Sequence, residues 1–196
     1  MPVIIDTKIL DSRVIVWDLK ETDLSIATFL NCFDDMQDDK FRKSHLRMTY
    51  GWQYVLKKSL GNHYDGIFKD EHGKPFLNQQ HFHIAVTHTK QFIACAIHTG
   101  KPVGVDIEPF SDKIGRVRHK FMNEVELLHC QSSFDQTMVW CAKEAAYKLN
   151  GKKGVSFKQQ IYIDKDAGNI YLEGKIMANF ESITVEDMML VVAVGL

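Results

Sequence analysis

Two short stretches carry residues whose types and spacing suit phosphate chemistry. In "VGVDIE" at 103–108, Val103, Val105 and Ile107 alternate with Gly104, Asp106 and Glu108. A strand's period of two buries the first set and turns Asp106 and Glu108 to one side. Two like charges on one face repel unless a cation stands between them. Hard oxygen ligands suit Mg²⁺, which keeps several waters and binds phosphate oxygens. In "WCAKEAAYK" at 140–148, Glu144 and Lys148 stand one helical turn apart and add a third carboxylate and a cation. The plainer reading stays open: an exposed Glu-Lys pair at this spacing contributes only ~0.2–0.5 kcal/mol to a solvated helix, and many buried strands end in an acid.

The elements that must position these residues follow from periodicity. At about 100° per residue, Met138, Ala142, Ala145 and Leu149 form one apolar helix face, with Trp140, Lys143 and Tyr147 opposite and Glu144 and Lys148 on a flank. A surface helix does not usually set Trp and Tyr opposite its core, so this helix is expected to be covered on two sides, at a seam between two halves. Upstream, "VIVW" (14–17) predicts a strand, and "TDLSIATFLN" a short helix capped by Thr22 or Asp23. A longer helix is expected from about Asp39 to Leu60, ending at Gly61. "IFKDEHGKPFL" reads as two strand pieces around a turn, followed by strands at "HIAVTHT", "QFIACAI" and "PVGVDIE". Asn123 is placed to cap a helix through Cys130, the 135–149 helix ends before Gly151, and the tail reads as strands and turns.

A regularity runs through this order. "IFKDEHGKPFL" (67–77) resembles "IYIDKDAGNIYL" (161–172). Each follows a long helix, ending "KKSLG" or "YKLNG", and each precedes an apolar strand, "FIACAI" or "LVVAV". The expected fold is α+β: two similar halves of helix plus antiparallel sheet, residues 1–100 and 101–196, with a site at their interface.

Composition excludes several classes. The 196 residues carry a formal net charge of −1, so no global field recruits nucleic acid or an anionic membrane. Cys32, Cys95, Cys130 and Cys141 show no ligand spacing and read as reduced thiols. The start of the chain lacks a basic region followed by a long apolar stretch, and "MMLVVAVGL" (188–196) is far short of the ~20 residues that span a bilayer. The expectation is a cytoplasmic protein. "HFH" (81–83) sets two imidazoles on one strand face without an apparent third ligand, and "KIGRVRHK" (113–120) reads first as a solvated basic face.

Taken together, the two motifs, about 35 residues apart, resemble the signature of the 4′-phosphopantetheinyl transferase superfamily: a G-[VI]-D-x-E strand and a W-x-x-K-E-x-x-x-K helix. "GKP" (73–75) is similar to the family's Gly-Lys-Pro turn, and "AVTHT" (85–89) to its Ser-His-Ser strand with threonine at both serine positions. "KFRKSHLR" (40–47) resembles the basic helix start of the longer, surfactin-synthetase-activating branch, and "GKKGVSF" the glycine-rich connector after the helix. Members of that branch are single chains of two similar halves with the site between them.

The resemblance implies a transfer of phosphopantetheine from coenzyme A to a serine of an apo carrier protein, with Mg²⁺ as cofactor. Residue by residue, it implies that Asp106, Glu108 and Glu144 coordinate Mg²⁺, with Glu144 also the candidate base for the serine proton. Lys148 would neutralise the pyrophosphate. Lys74 and His88 would hold the coenzyme's phosphates, with Thr87 as a hydroxyl donor and Lys40 and Arg47 as contacts to the 3′-phosphate. Carrier proteins of such enzymes are typically acidic, which gives the 113–120 run a second reading as a docking face. A monomer without nucleic-acid or membrane partners is expected. Two other classes stay open: a Mg²⁺-dependent phosphohydrolase or nuclease using the same carboxylates, and a non-catalytic module binding coenzyme A or a carrier protein.

Overall fold

The computed structural model describes residues 3–19, 44–79 and 81–196, with side chains in the first helix described from Tyr50 onward. Lys40, the helix expected over "TDLSIATFLN" and the start of the one expected from Asp39 lie outside these residues, as does the side chain of Arg47. In chain order the elements begin β1 (Val3–Ile9), β2 (Ser12–Asp18), α1 (Ser44–Leu60), β3 (Phe68–Lys69), β4 (Pro75–Phe76), β5 (Phe82–His88) and β6 (Phe92–Thr99). They continue with β7 (Val103–Pro109), α2 (Asp112–Val117), α3 (Glu124–His129), α4 (Ser133–Asn150), β8 (Ile161–Asp164), β9 (Asn169–Leu172), β10 (Lys175–Val185) and β11 (Met188–Gly195).

The fold is α+β, and the strand pairings among the described residues are antiparallel. One sheet has the order β1-β2-β6-β5, a second β7-β11-β10-β9-β8, and β3 and β4 form a separate hairpin. Strand periodicity fixes the layers. Val14, Val16, Phe92, Ala94 and Ala96 of the first sheet meet Val103, Val105, Ile107, Leu190 and Val192 of the second in a shared core. The alternate residues Ile15, Trp17, Ile93 and Cys95 face α1. On the second sheet Met189, Val191 and Ala193 face α4. The result is helix, sheet, sheet, helix.

The same connectivity runs through both sheets. A strand, a long helix, a hairpin and two further strands give the neighbour order β2-β6-β5 in one and β7-β11-β10 in the other. The hairpin joins the sheet as β8-β9 in the second case and stands apart as β3-β4 in the first. The likeness is one of element order and pairing. β1, a hairpin partner of β2, was not expected from the sequence; exposed Asp6, Thr7 and Lys8 interrupt its apolar pattern as befits an edge strand.

One expectation is corrected. The α4 helix is covered on two sides by residues of the second half, and its Glu144–Lys148 flank borders the first. Its Met138, Ala142 and Ala145 face the outer side of the second sheet, and its Trp140 and Lys143 are covered by Phe121, Phe157 and Ile161 of the same segment. Contact between the sheets is made by strands.

Candidate active site

The site begins with a glycine. A Cβ at Gly104 would stand 2.0 Å from the Ala145 carbonyl oxygen, so its absence lets α4 lie directly on β7. With Val103, Val105 and Ile107 in the core, Asp106 and Glu108 point to the helix side of β7, as the period of two requires. Both ends of α4 are fixed. The Ser132 side chain accepts from the Asp135 amide, and Gly151 at φ 71° ends the helix in the left-handed conformation. Lys74, from the β3-β4 turn, donates to the Leu149 carbonyl at 2.7 Å and caps the last turn with a cation.

Asp106, Glu108, Glu144 and Lys148 line one cavity of about 450 Å³, together with Thr87 and His88 from β5. Residues on both sides of position 100 therefore meet there. Lys148 Nζ lies 2.6 Å from Asp106 Oδ1 and 3.1 Å from the Val105 carbonyl oxygen. The Thr87 hydroxyl donates to the same Oδ1 at 2.9 Å. Asp106 Oδ2 is buried and, among the described residues, meets no hydrogen-bond donor in good geometry. Trp140 Nε1 donates to Glu108 Oε1 at 3.4 Å, a long contact.

The electrostatics follow from this crowding. Burial, reinforced by the charges of Asp106 and Glu108 and opposed by Lys148, pushes the Glu144 carboxyl up to about 6. Burial, with the Asp106 charge, also raises Glu108, against the Trp140 hydrogen bond and the Lys148 charge. Among the described residues, no three His, Cys, Asp or Glu side chains stand close enough to form a ready metal cage. The carboxylates share the cavity without converging, as like charges do with no cation between them, although Lys148 and Lys69 also line it. The donor set still fits a hard divalent cation: it is all oxygen, it carries excess negative charge, and among the described residues Asp106 Oδ2 meets no hydrogen-bond donor in good geometry.

A second lobe of about 370 Å³ adjoins the first, sharing Gly73, Pro75, Val86 and Lys148 as lining. Ile84, Ala85 and Tyr147 give it an apolar wall, and Lys74 and Lys153 stand on it with Lys148. Lys74 thus lies in this neighbouring lobe rather than among the carboxylates, and burial lowers its ammonium against the nearby Asp70 charge. Among the described residues, His81 and His83 join no group of three candidate metal ligands. Arg116, Arg118, His119 and Lys120 are exposed on and after α2, as the solvated reading of the basic run requires.

Sequence reasoning missed Lys143. It is fully buried, and its ammonium donates to Glu126 and to the Phe121, Phe157 and Ile161 carbonyls at 2.7–2.9 Å. Burial lowers it while the Glu126 charge opposes. A signal was available: Glu126 stands three residues after Asn123, and the pair forms a capping box. That box fixes the carboxylate where Lys143 meets it.

Residues 102–187 match the family model described as the 4'-phosphopantetheinyl transferase superfamily. The chain is also similar to the 4'-phosphopantetheinyl transferase gsp of Aneurinibacillus migulanus, with 32% identity over 104 residues. That alignment covers 50% of this chain and 43% of the relative, so the chain spans less than half the length of the protein it matches. Among the described residues no helix is long and apolar enough to cross a membrane. The resemblance drawn from the "VGVDIE" and "WCAKEAAYK" motifs is borne out: the segment that carries Asp106, Glu108, Glu144 and Lys148 matches the model of the 4′-phosphopantetheinyl transferase superfamily.

Proposed function

We propose that the chain moves the 4′-phosphopantetheine group of coenzyme A to a serine of an apo acyl or peptidyl carrier protein, in a Mg²⁺-dependent reaction releasing adenosine 3′,5′-bisphosphate. One observation carries this: Asp106, Glu108, Glu144 and Lys148, all within the superfamily segment, line a single cavity with Thr87 and His88. The serine oxygen bonds to the β-phosphorus as the bond from that phosphorus to the bridging oxygen breaks, and the leaving bisphosphate keeps the electron pair. Glu144, which lines the same cavity, takes the serine proton as general base. Lys148, on the wall shared by both lobes, supplies positive charge to the diphosphate. Mg²⁺ held by Asp106, Glu108 and Glu144 would neutralise and polarise the phosphate oxygens.

His88 and Lys74, with Lys40 and Arg47, are assigned to the coenzyme's phosphates. Thr87 acts through Asp106, to which its hydroxyl already donates. The apolar lobe with lysines on its wall suits a long pantetheine arm attached to phosphates. The exposed basic run after β7 complements an acidic carrier protein. Each sheet draws its strands from one side of residue 100, which supports units of 1–100 and 101–196. A cavity lined from both within one chain supports a monomer, and the buried free thiols of Cys95, Cys130 and Cys141 are in keeping with a cytoplasmic setting.

The test mixes the protein with coenzyme A, Mg²⁺ and several apo carrier proteins and reads intact mass. A carrier gaining the phosphopantetheine mass supports the transfer. Loss of coenzyme A with no mass gain on any carrier replaces it with a hydrolase, and binding without turnover replaces it with a non-catalytic module.

A further inference from the structure

On the side of α4 away from its sheet lies an ion pair that the proposed chemistry does not use. Lys143 and Glu126 side chains are 0% and 1% exposed and 2.7 Å apart. The ammonium is shared among four acceptors: Glu126 Oε2 at 2.7 Å and the carbonyls of Phe157 at 2.8 Å, Ile161 at 2.8 Å and Phe121 at 2.9 Å. The carboxylate is equally occupied, since Oε2 accepts from the Asn123 amide and Oε1 from the Ile163 amide, each at 2.9 Å. No ammonium proton is spare for substrate, and three of the carboxylate's about four acceptor sites are filled. The pair is a frame joining three segments: the chain before and into α3, the connection from α4 to β8, and α4 itself.

A buried ion pair is weak ground for stability alone, because well-packed apolar replacements often do as well. What it supplies is direction. Two of the carbonyls it holds belong to Phe121 and Phe157, whose rings clamp Trp140 with centroids 4.9 Å and 5.8 Å away. The clamped indole is the group that reaches Glu108 Oε1 with its N–H. Phe157 also packs against Tyr147, with centroids 5.7 Å apart, and Tyr147 lines the neighbouring apolar lobe. Both walls of the cavity are thus tied to one ammonium on the far side of the helix.

We propose that Lys143 and Glu126 are positioning residues for this site, holding the Phe121–Trp140–Phe157 clamp so that Trp140 fixes Glu108 for a divalent cation. The proposal rests on the metal reading of the carboxylates given above. Groups behind metal ligands commonly change metal affinity by about 10- to 100-fold when removed.

Two variants test it, with Mn²⁺ as the probe in the absence of coenzyme A and free Mn²⁺ read by electron paramagnetic resonance. Lys143→Met combined with Glu126→Gln removes both charges while leaving a carbonyl acceptor for the Ile163 amide. Trp140→Phe keeps a ring in the clamp and removes only the donor to Glu108. Both are expected to fold, as read by circular dichroism, and both to raise the Mn²⁺ dissociation constant by about 10-fold. Wild-type Mn²⁺ affinity in folded Trp140→Phe overturns the route through Glu108. The same result in the folded double variant reduces the pair to a structural role. If the double variant fails to fold, Trp140→Phe alone decides. Wild-type protein that retains no Mn²⁺ overturns the metal reading and the positioning role with it, whereas wild-type retention with unaltered variants overturns only the latter.

Discussion

The Thr87 hydroxyl donates to Asp106 Oδ1 at 2.9 Å, and the two residues sit on β5 and β7, the neighbouring edge strands of two different sheets. The bond therefore joins the sheets at the point where the cavity opens. Thr87→Val keeps the shape and removes the donor from a buried carboxylate, with an expected loss of about 1–2 kcal/mol in denaturant unfolding. Thr87→Ser keeps the hydroxyl and should recover most of that loss. A valine variant as stable as wild type would assign the sheet contact to apolar packing alone.

Lys148 is the cation nearest Asp106, at 2.6 Å, with its own side chain 29% exposed. Lys148→Ala leaves the buried carboxylate without its charged partner, with the Thr87 hydroxyl still donating to it. The exposure of Lys148 tempers the cost to about 1–2 kcal/mol in thermal or chemical unfolding, below that of a fully buried pair. On the proposed reaction the same change removes positive charge beside the diphosphate, and the transfer rate should fall about 100-fold or more. Stability and rate separate the two roles. A loss of stability with an unchanged rate would leave Lys148 as Asp106's partner and nothing more.

The parts of this site legible in the sequence are those set by short periods. Alternation along "VGVDIE" placed Asp106 and Glu108 on one side of β7, and the i,i+4 spacing placed Glu144 and Lys148 on one flank of α4. Both survive because the strand and the helix are regular. The hydrogen bond from Thr87 to Asp106 was not legible, since it depends on how two sheets stack, and the sequence offered Thr87 only as a donor to a ligand. Nor was the cover over Trp140 and Lys143 legible in its identity. The helix wheel showed that something must lie there, but its source, the segment 121–163, depends on where α3 and the 151–160 connection fold back. The helix wheel set Lys143 on the covered face beside Trp140 and Tyr147 but gave it no partner. Only the convergence of three carbonyls and Glu126 shows why a charge is tolerated at that depth.

Gly104 gives a prediction about geometry rather than charge. A methyl group there would sit 2.0 Å from Ala145 O and 2.8 Å from Ala145 C, both backbone atoms, so α4 must move away from β7. Gly104→Ala should cost about 3 kcal/mol, at the upper end of overpacking effects, because no side-chain rotation relieves it. The displacement carries Glu144 and Lys148 away from Asp106, so the folded fraction should also transfer poorly. A folded Gly104→Ala protein with wild-type turnover would show that the spacing of β7 and α4 is not what organises the site.

The last prediction concerns Glu144, whose carboxyl is raised from 4.5 to about 6, first by burial and then by the Asp106 and Glu108 charges. A raised acid means that the fold penalises its ionised form. The penalty is complete above about pH 6 and disappears below the ordinary value near 4.5, so without metal this group makes the protein less stable as pH rises through that window. Glu144→Gln removes the term. At pH 7 and without divalent cations the variant should be more stable than wild type by about 1 kcal/mol, a figure reduced for the partial exposure of the group. The difference should shrink towards pH 4.5. A divalent cation reverses the order. Mg²⁺ with coenzyme A binds the native wild type and raises its melting temperature by linkage, while the variant, missing one ligand and the proposed base, gains less and does not transfer. Melts of both proteins at pH 4.5 and 7, with and without Mg²⁺ and coenzyme A, read all of these terms. Glu144→Gln less stable than wild type at pH 7 without metal would mean that the Lys148 charge outweighs the crowding of carboxylates, and the cavity would then need no added cation.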